Sequence, residues 1–302
     1  MKTLRLILGD QLNSNHSWFK NVDDEIIYVL MEVKQETNYV LHHAQKIIAI
    51  FAAMRDFQSN LTRHGHHVVY LKINDQVNQH SFKANLNALF DQYHIKKFEY
   101  QEPDEYRLDQ DLVKFCSEIS IPFQCYSSEH FYTERYEVSE LFKNKKTWLM
   151  ETFYRYMRKK HHVLMSDLNE PIGSKWNFDS DNRKAWKGDP ETFKDHRPIH
   201  NHTDLWDEIT KSNIKSFGVN QAAQFRWPLN RKEALKHLEF FVDHILVYFG
   251  DYQDAMSKHQ SRMFHALISF SLNVKLISPM EVISRTEQIW KEQSLPLPAV
   301  EG

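Results

Sequence analysis

Leu4-Arg5-Leu6-Ile7-Leu8-Gly9-Asp10 opens the chain as a short apolar run that stops at a glycine and an acid. A run of this length, closed by turn residues, reads as a buried strand. Further runs follow: Ile26–Leu30 (IIYVL) closed by Met31-Glu32, Val68–Ile73 (VVYLKI), Lys97–Tyr100 ending at Gln101-Glu102-Pro103, and Pro122–Tyr126. Between them the period changes. From Gln35 to about His64, residues Ile47, Ile50, Phe51, Met54, Phe57 and Leu61 recur at three- and four-residue steps, and Gly65 is placed to end the helix. Ala84–Tyr93 and Leu108–Ser120 are helical in the same way. Strands alternating with helices imply an α/β fold, a Rossmann-like parallel sheet with helices on both faces.

The second half has a different texture. Lys145–Met165 reads as an aromatic, basic helix, and residues 166–232 carry Gly, Pro, Asn and Asp with little periodicity. Helical periodicity returns in Glu233–Phe249, Tyr252–Ser271 and Pro279–Trp290. The expected organisation is an α/β domain over 1–130, an interdomain helix and long loop over 131–232, and the start of an all-helical domain over 233–302. At 302 residues the chain can bury a large core without covalent staples. Cys116 and Cys125 cannot build a metal or iron–sulfur site alone, and their spacing is not a redox pair. The expected setting is the reducing cytoplasm, with no metal site and no membrane partner, since the apolar start meets an aspartate at once.

Only 7 residues are glycine, and no two form a G-x-G, so neither a dinucleotide fingerprint nor a phosphate-cradling P-loop is present. In a sheet of this kind ligands sit beyond the carboxyl ends of the strands. Those ends carry Gly9-Asp10-Gln11, Met31-Glu32-Val33 and Glu102-Pro103-Asp104. Any one of them is explained by turn and cap chemistry. Three converging on one face favour a small hydrogen-bonding ligand, and the acids repel phosphate, which leaves a neutral polyhydroxyl or ring-amide molecule.

The net charge of −2 hides an uneven distribution. Between Lys143 and Lys187 there are 11 Lys/Arg against 5 Asp/Glu, interleaved with Trp148, Phe153, Tyr154, Tyr156, Trp176, Phe178 and Trp186. Such a mixture suits a surface that tracks phosphates while rings stack on bases, and it equally suits a solvated helix face over a core. The 18 histidines include His42-His43, His64, His66-His67 and His161-His162, but no pair on one helix face comes with the carboxylate that a metalloprotease helix needs.

Four stretches together resemble one family. They are Leu4–Leu12, the block Glu32–His43 running into Lys46-Ile47 and Phe51–Arg55, the block Met150–Arg158 with Pro171–Asp179 and Asn182-Arg183, and Phe249–Met256 with His265–Pro279. Each is similar to a segment of the cryptochrome/photolyase superfamily, in its prokaryotic iron–sulfur branch of bacterial (6-4) photolyases. The resemblance implies an N-terminal α/β antenna domain that binds a dimethyl-ribityllumazine through Gly9, Asp10, Glu32, Glu36, Tyr39 and His42. It implies a helical FAD-binding domain, begun here with His265, Leu267, Ile268 and Ser269, and damaged-DNA contacts from Lys175 and Arg183. The implied activity is light-dependent DNA repair: light captured by the antenna, then electron donation from reduced FAD to a flipped-out photoproduct.

The family pattern is not followed everywhere. Ser174 stands at the second glycine of a G-G-[KR]-W-N-F-D signature, Ala266 where serine is usual, and Lys275 where glycine is common. The chain ends where the resemblance places the remaining flavin helices, which would also bring the iron–sulfur cluster, so no catalytic residue is assigned. The alternatives are a non-repairing cryptochrome-like light sensor and a remnant keeping only the pigment domain. Unpartnered apolar faces on helices 233–290 would favour self-association.

Overall fold

The computed structural model describes residues 1–302. In chain order the elements are β1 (Thr3–Leu6), β2 (Ile26–Met31), α1 (Lys34–Asn38), β3 (His42–His43), α2 (Ala44–Arg63), β4 (His67–Leu71), α3 (Phe82–Tyr93), β5 (Lys97–Gln101), α4 (Tyr106–Glu118) and β6 (Phe123–Tyr126). They continue with α5 (Glu137–Leu141), α6 (Met150–His161), α7 (Thr203–Lys211), β7 (Ser216–Phe217), α8 (Arg231–Phe240), α9 (Leu246–Tyr252), α10 (Ser269–Asn273), α11 (Pro279–Gln293) and α12 (Leu297–Glu301). The chain divides into two compact units. The first gathers Met1–His130, Arg197–Ala234 and Phe270–Leu276; the second holds Phe131–His196, Leu235–Ser269 and Ile277–Gly302. The units therefore cut across chain order, and residues 197–234 fold with the sheet.

All five expected strands are present in the first unit, as one parallel sheet in the order β4-β2-β1-β5-β6. Counting only these five along the chain, the order is 3-2-1-4-5, the doubly wound Rossmann-like arrangement, whose direction reverses between β1 and β5. Leu4, Leu6, Ile27, Val29 and Phe98 turn one face toward Leu86 and Leu89 of α3 and Leu108, Leu112 and Phe115 of α4. Neighbouring positions such as Tyr28 and Leu30 are buried too, so the sheet is covered on both sides, which is why its strands read as continuous apolar runs. The stripe on α2 is buried as its spacing predicts, from Ile47 through Leu61. Helix α2 passes so close to the end of β1 that a Cβ on Gly9 would lie 2.9 Å from Ile50 Cγ2 and 3.1 Å from Met54 Sδ.

The structure corrects three expectations about elements. The single helix from Gln35 to His64 is two, α1 and α2, separated at Tyr39–His43, where His42 and His43 pair in parallel with Ser216 and Phe217 of β7. The irregular stretch 166–232 contains a helix, α7, whose Leu205 and Ile209 are buried. Tyr252–Ser271 is not one helix, and between the end of α9 and the start of α10 there is none: Ser257 Oγ accepts from the amides of His259 and Gln260, and Met263 and Leu267 take left-handed backbone. Hydroxyls that bond nearby amides offer the chain an alternative to helix.

In the second unit, α9 follows α8 through one π turn at Phe241–Ile245, which inserts residues without ending the rod. Helix α12 lies against α9 at Gly250, where a Cβ would sit 2.6 Å from Ala299 Cα. Helix α11 begins with a full capping box, Ser278 with Glu281, and proline at its first turn. No helix is long and apolar enough to cross a membrane.

Candidate functional site

Beyond the carboxyl ends of β1, β2 and β5, at the reversal of strand order, lies a cavity of about 360 Å³. That falls in the range of small-ligand sites. Part of its lining is apolar: Ile47, Ile50, Phe51 and Met54 of α2, with Met31 at the end of β2 and Val33 after it. Part is polar: Asp10 after β1, beside Gly9, with Glu36 and Thr37 of α1, Asp104 and Glu105 after β5, and Asn273 of α10. Tyr39, His42 and Lys46 complete it.

Four carboxylates around one cavity must be balanced, and each cation here has an assigned partner. Lys275, whose side chain is fully buried, donates to the Asp10 carbonyl at 2.8 Å and to Asp104 Oδ2 at 2.6 Å. Arg107 donates from Nη2 to both oxygens of Glu36 at 3.0 Å and lies 4.2 Å from the centre of the Tyr39 ring, so one guanidinium orients both an acid and an aromatic wall. Lys46 Nζ lies 3.3 Å from His42 Nδ1, and His42 Nε2 lies 3.1 Å from the Glu36 carbonyl. Read together, these two contacts give a neutral imidazole that donates from Nε2 and accepts at Nδ1. Burial and the Lys46 charge both push the His42 pKa down, in keeping with that assignment. Burial pushes the Asp10 carboxyl up, with Lys275 opposing and Asp104 adding. It likewise pushes Glu36 up against the pull of Arg107.

Of the six residues expected around a pigment, five line this cavity: Gly9, Asp10, Glu36, Tyr39 and His42. Glu32 does not. Its carboxylate is fully buried behind the strand end and saturated by four donors: Arg55 Nε at 2.7 Å, Arg55 Nη2 at 2.9 Å, the Tyr70 hydroxyl at 2.7 Å and the Ile73 amide at 2.8 Å. Burial works against the Arg55 charge, but Glu32 and Glu208 of α7 more than offset it and raise its pKa. Arg107, Lys46 and Lys275 were not singled out as ligand-site residues from the sequence. Arg107 could have been found by its place beside the Glu102-Pro103-Asp104 strand end, whereas Lys46 meets His42 across the junction of β3 and α2, which the continuous helical period hid. Lys275 stood out only as a lysine in place of a common glycine, and nothing local tied it to Asp10, 265 positions away.

The remaining expected site residues lie in the second unit. His265 and Ser269 are exposed, and Leu267 and Ile268 are half-buried in the irregular segment before α10. A cavity of about 300 Å³ in this unit takes only Ala266 from that stretch. The four residues therefore do not by themselves make a flavin site. Lys175 is exposed, 3.9 Å from Asp181 Oδ2, and Arg183 is exposed next to the buried Asn182. Much of the basic excess around them is internally balanced: Arg155 pairs with Glu151, Lys160 with Glu137 and Lys184 with Asp251. Arg158 is buried and donates to the Val163, Leu164 and Trp176 carbonyls. Trp176 itself is ringed by Arg155, Arg158 and Lys159, each within 5.5 Å of its centre.

The family model described as "Deoxyribodipyrimidine photo-lyase-related protein" matches residues 5–227. The chain belongs to that family. Within reach of this photolyase-related chain is a (6-4) photolyase from Agrobacterium fabrum, 32% identical over 305 residues, covering 100% of this chain and 60% of the relative. The chain thus spans less than two thirds of that curated relative. An uncharacterized protein, R852, of Acanthamoeba polyphaga mimivirus is 24% identical over 200 residues, 61% of this chain and 95% of its own length. Among solved structures, a bacterial class III photolyase from Agrobacterium tumefaciens matches with a TM-score of 0.56 at 14% identity, over 99% of this chain and 55% of its own. That likeness bears on the fold alone, and the photolyase-like α/β sheet described above agrees with it.

Proposed function

We propose that the first compact unit is the antenna module of a light-dependent DNA-repair protein, and that its cavity holds a ribityllumazine. The observation that supports this is one 360 Å³ cavity lined both by apolar side chains of α2 and by carboxylates at the strand ends. A flat heteroaromatic ring suits the apolar lining and a chain of hydroxyl donors suits the carboxylates. Ile50 and Phe51 would pack on the ring, Tyr39 would close over it under the hold of Arg107, and Asp10 and Glu36 would accept from the ribityl hydroxyls. When bound, the pigment supplies light absorption. Exposed Lys175 and Arg183 would add contacts to damaged DNA.

The test is a fluorescence titration of the chain with 6,7-dimethyl-8-ribityllumazine beside riboflavin 5′-phosphate. Saturable lumazine binding with much weaker phosphate-ester binding is expected. Glu36→Gln should weaken it by roughly tenfold or more, as loss of a charged acceptor does. Equal affinity for both ligands, or none for lumazine, overturns the reading. For the DNA contacts, Arg183→Ala should flatten the slope of log K against log salt by about 0.9 on duplex DNA, one phosphate contact's worth.

A further inference from the structure

Lys275 is disfavoured twice where it stands. Its φ is +64°, left-handed backbone that a lysine seldom takes, and its ammonium is shielded wholly from water. What holds it there is acidic: Asp104 Oδ2 at 2.6 Å, the Asp10 carbonyl at 2.8 Å and Asp10 Oδ2 at 4.0 Å. The groups that face Asp10 come from every side of the cavity. They are Asp104 and Glu105 after β5, Glu36 of α1, Arg107 of α4, His42 of β3 and Lys46 of α2, and Lys275 beyond α10. Arg107 is engaged by Glu36 and Glu105, and Lys46 by His42. Lys275 is the cation placed against the Asp10–Asp104 pair.

We propose that Lys275 is the positioning residue of the cavity: it supplies the countercharge that lets Asp10 and Asp104 stand side by side as ionised acceptors for a neutral, hydroxyl-bearing ligand. Burial alone drives the Asp10 carboxyl toward its protonated form, and a second carboxylate drives it further. A protonated Asp10 would present a donor where the ligand brings donors. With Lys275 in place the pair needs no cation from the ligand, so a positively charged ligand gains nothing at this end. The ligand's chemical class rests on the reading above; the action of Lys275 on the two carboxylates does not.

The experiment uses the full chain with Lys275→Gly, Asp104→Asn and the double variant. Glycine suits the left-handed backbone at this position, so Lys275→Gly removes charge without adding strain. The first readout needs no ligand: the Asp10 carboxyl carbon is followed by NMR across pH. Its midpoint should rise by about one unit or more in Lys275→Gly, fall in Asp104→Asn, and return toward the wild-type value in the double variant. The second readout is lumazine affinity from about pH 5 to pH 8, expected to weaken by roughly tenfold toward acid in Lys275→Gly and to be rescued by Asp104→Asn. A lysine that only filled space would show neither the shift nor the rescue, and an unmoved Asp10 midpoint overturns the proposal. Should Lys275→Gly not fold, Lys275→Met decides, because it keeps the side-chain length, removes the same charge and must raise the same midpoint. If the Asp10 titration behaves as stated while wild type binds no lumazine, the ligand assignment fails and the role of Lys275 stands.

Discussion

Two acids chosen from the sequence for the same reason, each sitting just past a buried strand, end with opposite fates. Asp10 lines the cavity, whereas Glu32 spends all its acceptor capacity on Arg55, Tyr70 and the Ile73 amide. Nothing near Glu32 in sequence distinguishes them, since its partners are 23, 38 and 41 positions away. The burial that raises the Asp10 pKa has a measurable sign. A carboxyl whose folded pKa lies above its unfolded value weakens the fold wherever it is ionised, fully so above the folded pKa. Asp10→Asn should therefore raise the unfolding free energy of the ligand-free chain at neutral pH, by on the order of 1 kcal/mol. That gain should fade as pH falls and wild-type Asp10 takes up its proton. Urea unfolding at a series of pH values checks this, and lumazine affinity should drop in the same variant.

At the scale of elements, the strands were legible and the helix break was not. Apolar runs bounded by turn residues are a local signal, and the sheet keeps all five. The 3.6-residue period across Gln35–His64 is equally strong, but it carries no mark of the interruption at Tyr39–His43, because the cause is a pairing with residues 216–217. His43 then starts α2 by accepting from the Gln45 amide. The break turns Tyr39 and His42 into cavity walls instead of points on a helix surface. It depends on Gly218, whose φ is +77° and where a Cβ would meet His43 Nε2 at 2.1 Å. Gly218→Ala should cost about 1–3 kcal/mol through this overlap and weaken lumazine binding, although the residue does not line the cavity. Chemical denaturation and the same fluorescence titration measure both effects. A variant with unchanged affinity would detach the pairing from the site.

On the scale of the whole molecule, function and chain order part company. The α/β region looks self-contained in sequence because its strands and major helices finish by Tyr126. Its chemistry does not finish there: Glu208 binds Arg55, β7 supports β3, and Lys275 sits against Asp104. A chain cut after residue 130 should unfold with a free energy on the order of 3 kcal/mol lower, from the acids left without a cation, and should bind no lumazine. Thermal unfolding and titration of the shortened and full chains together test this. The irregular composition of 166–232 concealed the reason, since Leu205 and Ile209 supply only two buried contacts of period four in a polar stretch.

Synthesis on the ribosome runs in one direction, and the lysine beside Asp10 arrives 265 residues after it. At about 5–20 residues per second that interval is tens of seconds. From the emergence of Asp104 the nascent sheet presents two neighbouring acids with no lysine between them, until Lys275 follows 171 residues later. On the function proposed above, filling of the cavity is thereby a late event in the life of the polypeptide, timed by where in the message one codon lies.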